Sequence, residues 1–315
     1  MKKAIVLLLI NALLVGCYGG PASNQNNNVK ITTTQETPSA TKSPSTQLPV
    51  FGTHSLVFKK VSPLPERVKS IPPDAPVAVQ KEFDGFLLKA SEEGNLENVK
   101  KAISMGANVN ANAEFRTPLM RAAHNKHFEV VQYLLQNGAN PNLQQGSKML
   151  SSHKNALTAA LMGKDERVIQ LLLNTGTSPV GYWCDSVFRP YHILFLPIQA
   201  QQDNVVRALL EKGADPDGNQ GGTPLFFAIS HARAKVVLDL LAYGANPNVK
   251  NSYGETPLHA LMSVSEFSQD VKKILADAML QCGADKNITD KNGKTPTALA
   301  YERKLDAVGD YLRSR

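Results

Sequence analysis

The chain has 315 residues, of which 42% are hydrophobic and 19% are charged, and its formal net charge is +7. This is an ordinary globular composition that can build a sizeable hydrophobic core. The positive charge is mild and spread along the sequence, without a block of five or six basic residues or a zinc-finger spacing, which argues against a nucleic-acid-binding protein.

An apolar segment follows the first two lysines. Residues 4–15 are apolar except for Asn11, and this run is too short to span a bilayer but has the length of a signal-peptide core. Because Lys2 and Lys3 supply the positive charge that precedes such a core, the sequence predicts export from the cytoplasm.

The end of this segment, Leu14-Val15-Gly16-Cys17, resembles the lipobox of bacterial lipoproteins. The resemblance implies that residues 1–16 are a lipoprotein signal peptide and that Cys17, the new N terminus, carries acyl chains. Two or three acyl chains anchor a protein stably, since each buried CH₂ contributes about 0.8 kcal/mol. Tyr18 replaces the aspartate that retains enterobacterial lipoproteins in the inner membrane, so the expected location is the outer membrane, facing the periplasm. An ordinary secretory leader that contains a cysteine is the alternative.

The next segments are poor in apolar residues. Of residues 18–50, 23 are Gly, Pro, Ser, Thr, Asn or Gln, which is too polar to offset the entropy of ordering. We therefore expect residues 17–50 to form a disordered lipidated tether. Residues 51–82 form a proline-rich extension, in which the prolines prevent a helix of any length.

From residue 83 onward the sequence repeats a motif of Gly, Ala and two Asn or Asp residues. Its copies lie 31 to 39 residues apart, a period typical of solenoids built from stacked units. The copies begin at Gly106, Gly138, Gly176, Gly213, Gly244 and Gly283, and the one at Gly176 is degenerate.

A second motif, Thr-Pro, precedes an apolar stripe at Thr117, Thr223, Thr256 and Thr295. Thr caps a helix and Pro is harmless at the first helical position, so each Thr-Pro predicts a helix start. A second apolar helix follows, and the motif glycine ends it with a left-handed cap. Neither helix can bury its stripe alone, so the units must stack.

Together these motifs resemble the ankyrin repeat. The match is close at residues 256–260, 129–142 and 290–296. The resemblance covers residues 83–315 and implies an all-α ankyrin-repeat solenoid of about seven helix-turn-helix units with connecting β-hairpin loops, the first and last units being caps. It also implies a monomeric module that binds a protein partner, without a cofactor, and that is not an enzyme.

Three units depart from the regular spacing. Unit four has three extra residues between Arg189 and Gly213, and unit six has six extra residues between Thr256 and Gly283. We assign the extra residues to the helix pair of each unit. In unit six they fall in the inner loop at residues 263–269. The hairpin before unit three has five extra residues. Insertions in a solenoid often mark the binding edge.

Partners of ankyrin proteins usually dock on the hairpin tips and the inner helix surface, and aromatic and arginine side chains dominate interface energetics. The alternative is that Phe115, Trp183 and Phe188 fill the core of irregular units and that Arg121 is a solvated residue. The predicted partner-binding residues are Phe115, Arg116, Arg121, Tyr182, Trp183 and Tyr253.

The remaining candidate residues, histidines and cysteines, are interpreted as structural and not as metal ligands or catalytic groups. His124 and His127 lack a carboxylate or cysteine to complete a metal site, so no metal is expected. His192 and His259 stand where the repeat uses a histidine for a turn hydrogen bond. Cys184 and Cys282 lie far apart in the repeat order, so we expect thiols and not a bridge between them.

Two functions are consistent with the resemblance. Ankyrin lipoproteins are attested as periplasmic immunity proteins that neutralise secreted effectors, lipases among them, and also as envelope scaffolds or stress-protection factors. A hydrolase is the weakest alternative, because the sequence shows no nucleophile elbow or paired catalytic carboxylates.

Overall fold

A computed structural model describes residues 77–113, 116–144, 155–179, 182–184, 190–218 and 223–315, with the backbone alone at 182–184 and 190–191. This part of the chain contains fourteen helices, paired into seven helix-turn-helix units. The pairs are α1 (Val77–Glu93) with α2 (Leu96–Ser104), α3 (Pro118–His124) with α4 (Phe128–Gln136), α5 (Ala156–Gly163) with α6 (Glu166–Asn174), α7 (Phe195–Gln199) with α8 (Asp203–Glu211), α9 (Pro224–Ser230) with α10 (Ala234–Ala242), α11 (Pro257–Ser263) with α12 (Gln269–Gln281), and α13 (Pro296–Glu302) with α14 (Asp306–Ser314).

The Thr-Pro motifs start helices as the sequence predicts. The side chains of Thr117, Thr223 and Thr295 accept a hydrogen bond from the backbone N–H three residues later, and a proline occupies the first turn of each helix. Such a cap satisfies one of the N–H groups that a helix start leaves without a partner.

The helices form two layers. The first helices of successive units pack on one another in chain order, and so do the second helices. Leucine, isoleucine, valine and alanine side chains fill the space between the layers, and Leu119, Leu157, Leu225 and Leu258 are 0 to 1% exposed. One continuous core therefore runs through the stack, and the predicted all-α solenoid is confirmed.

Side-chain hydrogen bonds link successive hairpins into what we call the hairpin ladder. In each rung, the last Asn or Asp of one motif accepts from a backbone N–H of the next unit, which fixes the spacing of the tips. In the copy that begins at Gly176 the corresponding residue is Val180, whose side chain cannot accept a hydrogen bond. The rungs are Asn140 N to Asn110 Oδ1 (2.8 Å), Ser178 N to Asn142 Oδ1 (2.9 Å), Asn246 N to Asp217 Oδ1 (2.7 Å) and Asp285 N to Asn248 Oδ1 (2.8 Å).

Unit four differs from our prediction. Pro190 does not start a helix but pairs with Cys184 between the short antiparallel strands β1 (Tyr182–Cys184) and β2 (Pro190–His192), and helix α7 begins only at Phe195. The assignment of the extra residues to the helix pair was therefore wrong, since they lengthen the hairpin. A Pro without a preceding Thr lacks the side-chain cap that fixes a helix start.

The six extra residues of unit six are shared between two places. Residues 264–268 form the predicted longer loop, and its Phe267 is 7% exposed and packs into the core. The second helix, α12, has 13 residues, whereas the second helices of the other units have nine.

The N-terminal predictions lie largely outside the described residues, namely the signal peptide 1–16, the tether 17–50 and residues 51–76 of the extension. Helix α1 begins at Val77, six residues before the predicted start of the repeat domain at residue 83. The expectation of a free thiol at Cys282 was wrong, because this residue is disulfide-bonded to a cysteine whose side chain is not among those described.

Candidate partner-binding surface

The candidate surface consists of the hairpin tips and the exposed side chains of the first helices with the turns that follow them. Three of the predicted binding residues, Phe115, Tyr182 and Trp183, have side chains outside the described part of the structure. The other three, Arg116, Arg121 and Tyr253, can be placed.

Arg116 closes the hairpin tip of unit two. Its backbone N–H donates to the Ala113 carbonyl at 3.0 Å, and its own carbonyl accepts from Ala113 N at 3.3 Å. Because the backbone is held by this pair while the residue remains exposed, the guanidinium is displayed from a fixed tip.

Arg121 is engaged within the chain. Its guanidinium forms an ion pair with Glu92 of helix α1, and its side chain is 13% exposed. It also donates to the Ala113 carbonyl at 3.5 Å. The structure thus places this arginine between units one and two, where it joins α3 to α1 as well as bordering the surface.

Tyr253 is the most exposed aromatic residue of the described side chains, at 69%. Its N–H donates to Asn251 Oδ1 at 2.9 Å, and its carbonyl accepts from Lys291 N of the next tip at 3.0 Å. A rigid backbone under an exposed ring reduces the conformational entropy that binding costs, which suits an interface anchor.

Sequence reasoning missed an aromatic row on the first helices of units four and five. The rings of Phe195 and Phe227 stack with centroids 4.6 Å apart, and the ring of His231 lies 4.1 Å from that of Phe227. Phe195 is buried, Phe227 is half-buried and His231 is exposed. The row therefore extends from the core to the surface. The four-residue spacing of Phe227 and His231 is the signal that could have revealed it.

Two histidines link neighbouring units through hydrogen bonds. His259 is fully buried, with Nδ1 accepting from Thr256 N–H at 3.1 Å and Nε2 lying 3.0 Å from the Lys294 carbonyl oxygen. His127 Nε2 lies 2.9 Å from the Glu92 carbonyl oxygen. His192, for which the same turn hydrogen bond was predicted, does not lie in the first turn of a helix as His259 does, because it ends strand β2.

His192 is buried, and its Nδ1 accepts from the Leu194 N–H at 3.4 Å. Burial lowers the pKa of this imidazole below its ordinary value, because desolvation disfavours the charged ring, although Asp215 acts in the opposite direction. The neutral ring is thus the form that this site holds.

Within the described ranges, no group of three or more His, Cys, Asp or Glu side chains is arranged to hold a metal ion. In the same part of the chain, no helix is both long and apolar enough to cross a membrane.

Comparison with known proteins agrees with this architecture. The family model "Ankyrin repeats (3 copies)" matches residues 86–182 and 157–251. The chain is 28% identical over 164 residues to the putative ankyrin repeat protein YahD of Escherichia coli K12, covering 50% of this chain and 78% of YahD. It is 36% identical over 115 residues to protein PhlB of Serratia liquefaciens, covering 36% of this chain and 48% of PhlB.

Among solved structures, the ankyrin repeat domain of Bcl-3 superimposes with a TM-score of 0.55 and 26% sequence identity, covering 72% of this chain and 97% of that domain. The chain spans less than half the length of several curated relatives that it matches, 48% of PhlB and 37% of the mouse B-cell lymphoma 3 protein homolog.

Proposed function

Since the chain belongs to the ankyrin-repeat family, a family of protein-binding modules, we propose that it captures a protein partner while anchored by lipid in a bacterial envelope. The observation that carries the binding proposal is the fixed display of side chains. The hairpin ladder and the stacked helices hold the tips in register, and Tyr253 and His231 stay exposed on that frame.

The proposed binding mechanism is occlusion by a preformed surface. A partner would meet tips that are already ordered, so little entropy is lost on binding. Aromatic anchors at Tyr253 and at the Phe227–His231 pair supply the desolvated contacts, with Phe115, Arg116, Tyr182 and Trp183 as further predicted contacts. Arg121 supports the surface through its ion pair with Glu92. No catalytic step is assigned to any of these residues.

Capture is tested by purifying the full chain from envelope extract with its partner after cross-linking. Tyr253→Ala should reduce the captured partner. Tyr243→Ala is the matched control, because Tyr243 is also exposed but ends the second helix α10. Trp183→Ala and Tyr182→Ala extend the test to unit four. If Tyr253→Ala, Trp183→Ala and Tyr182→Ala all capture the partner in unchanged amount, the proposed binding surface is refuted.

The anchor proposal is supported by the lipobox resemblance and the length of the apolar leader. A disulfide at Cys282 suits the oxidising periplasm. Cys17→Ser should abolish acyl labelling and release the protein from the membrane. Because one sulfur cannot carry both an acyl chain and a disulfide, a peptide map that links Cys17 to Cys282 in the mature protein would contradict the anchor.

The more specific role that we propose is immunity against a secreted effector such as a lipase. Cells that express the chain should survive a co-encoded effector, and the protection should decline with Tyr253→Ala. The alternative is an envelope scaffold or stress-protection factor, which predicts an envelope defect on deletion without any effector. Hydrolysis is the weakest alternative and requires a positive activity screen on the purified chain.

A further inference from the structure

Five residues other than glycine adopt the left-handed backbone conformation in the described part of the chain, and all stand at the same place in the repeat. Each occupies the turn between the two helices of its unit, a position that Gly94 fills in unit one. A side chain at positive φ is disfavoured because its Cβ approaches the following carbonyl. The five residues are Lys126 (φ 67°), Lys164 (φ 64°), Gln201 (φ 59°), Ala232 (φ 53°) and Lys304 (φ 58°).

Two of these lysines lie in adjacent units that approach each other closely. A Cβ placed at Gly163 would lie 2.5 Å from the His124 carbonyl oxygen, so the end of α5 touches the end of α3. Lys164 follows Gly163 directly, and Lys126 lies two residues after His124. Unit three thus carries glycine where the close approach requires it and lysine at the strained position beside it.

Both ammonium groups are available to a partner. Lys126 and Lys164 are exposed, and neither forms an ion pair with a carboxylate among the described residues. The neighbouring Asp165 is already engaged, since its Oδ1 accepts from Arg167 N and Val168 N and its Oδ2 pairs with the Arg167 side chain. That engagement lowers the pKa of the Asp165 carboxyl against the opposing effect of burial.

From this combination of strain, exposure and unpaired charge, we infer that Lys126 and Lys164 form a docking edge for an acidic segment of the protein partner. The inference rests on the proposed function, because it assigns a chemistry to the partner of that binding surface. Complementary charge at such an edge accelerates association and selects against basic partners.

The test uses the full chain with Cys17→Ser and a short poly-L-glutamate as the acidic probe, measured at low and high salt. The double variant Lys126→Gln/Lys164→Gln removes the charges but keeps a residue that the chain itself carries at this position in unit four. It should weaken binding at low salt about fivefold, and the difference should disappear at high salt. Lys304→Gln, the same change in the last unit, is the control and should leave binding within twofold of the parent.

Two further variants separate charge from strain. Lys126→Gly/Lys164→Gly should weaken binding as the glutamine variant does, and Ala232→Gly should leave it unchanged. Equal losses from the Lys304 and the paired-lysine variants would overturn the inference, and so would charge-dependent binding to vesicles of anionic phospholipid without binding to polyglutamate.

The natural partner provides the second arm. If the chain captures a partner and Lys126→Gln/Lys164→Gln leaves that capture unchanged, the docking edge is wrong while the binding proposal stands. If the chain captures no partner, the binding proposal fails, and the polyglutamate measurement still decides whether the edge is selective for acidic chains.

Discussion

The ring of His231 lies against the ring of Phe227 with their centroids 4.1 Å apart, and the His231 Nδ1 lies 3.0 Å from the Phe227 carbonyl oxygen. The exposed imidazole is therefore held in one orientation by a half-buried phenyl ring, which itself stacks on buried Phe195. The first helix of unit five therefore presents a rigid, partly aromatic surface, which the proposed function uses as a contact for the partner.

We predict that His231→Ala weakens partner binding by about 1–2 kcal/mol, because hot spots concentrate on fixed aromatic side chains. Calorimetry or competition with the captured partner measures the change. The melting temperature should hardly move, since His231 is exposed. Arg303→Ala is the control, because Arg303 is exposed and follows the first helix of unit seven as His231 follows that of unit five. An equal loss of affinity there would contradict a specific role for the imidazole.

The hairpin ladder should contribute measurable stability. Asn248 accepts from Asp285 N at 2.8 Å and donates to the Gly283 carbonyl at 2.8 Å. Asn248→Ala should lower the free energy of unfolding by about 1–2 kcal/mol in denaturant titrations. Asn287→Ala is the matched control, because Asn287 holds the same motif position in unit seven and its side chain forms no rung of the ladder among the described residues. Equal effects of the two changes would argue against the ladder.

Two helical glycines should respond in opposite directions to alanine. A Cβ at Gly163 would lie 2.5 Å from a backbone oxygen of His124, whereas a Cβ at Gly85 would meet no atom within 4 Å. We expect Gly163→Ala to destabilise the fold by about 1–3 kcal/mol and Gly85→Ala to stabilise it by about 1 kcal/mol. Thermal unfolding of both variants checks this, and a neutral Gly163→Ala would show that units two and three pack less closely.

Mild acid should destabilise the protein through His192. The buried ring has a lowered pKa in the fold, so the unfolded chain binds this proton more readily. The resulting stability is complete above the ordinary histidine pKa of about 6.5 and is lost as the pH falls from there through the folded pKa. Chemical denaturation at several pH values in this range gives the free energy of unfolding as a function of pH. The slope of this dependence should be smaller in His192→Gln than in the parent protein. An unchanged slope would refute the assignment.

The sequence predicted those features that depend on local chemistry. The Thr-Pro pairs at Thr117, Thr223, Thr256 and Thr295 each start a helix, and the period of the glycine motif predicted the stack. The predicted start of helix α7 was wrong because Arg189-Pro190 resembles the Thr-Pro motif. Pro190 instead pairs with Cys184 between strands β1 and β2, and no other unit has such a pair of strands among the described residues.

The surface was harder to predict because its contacts cross unit boundaries. The ion pair of Arg121 with Glu92 joins residues that are 29 positions apart, so no local pattern indicates it. Phe227 reads as one more apolar residue of a helix stripe, and only the stacking on Phe195 shows that it faces the surface side of the core. The disulfide of Cys282 is equally non-local.

Site-specific photo-cross-linking in intact cells tests the central claim of protein capture most directly. A photoreactive amino acid is placed at position 253 on a hairpin tip, at position 231 on the first-helix surface, and at position 243 at the end of a second helix. We predict one shared protein adduct from positions 253 and 231 and none from position 243. Adducts from position 243 alone, or none from any position, would contradict protein capture by this surface.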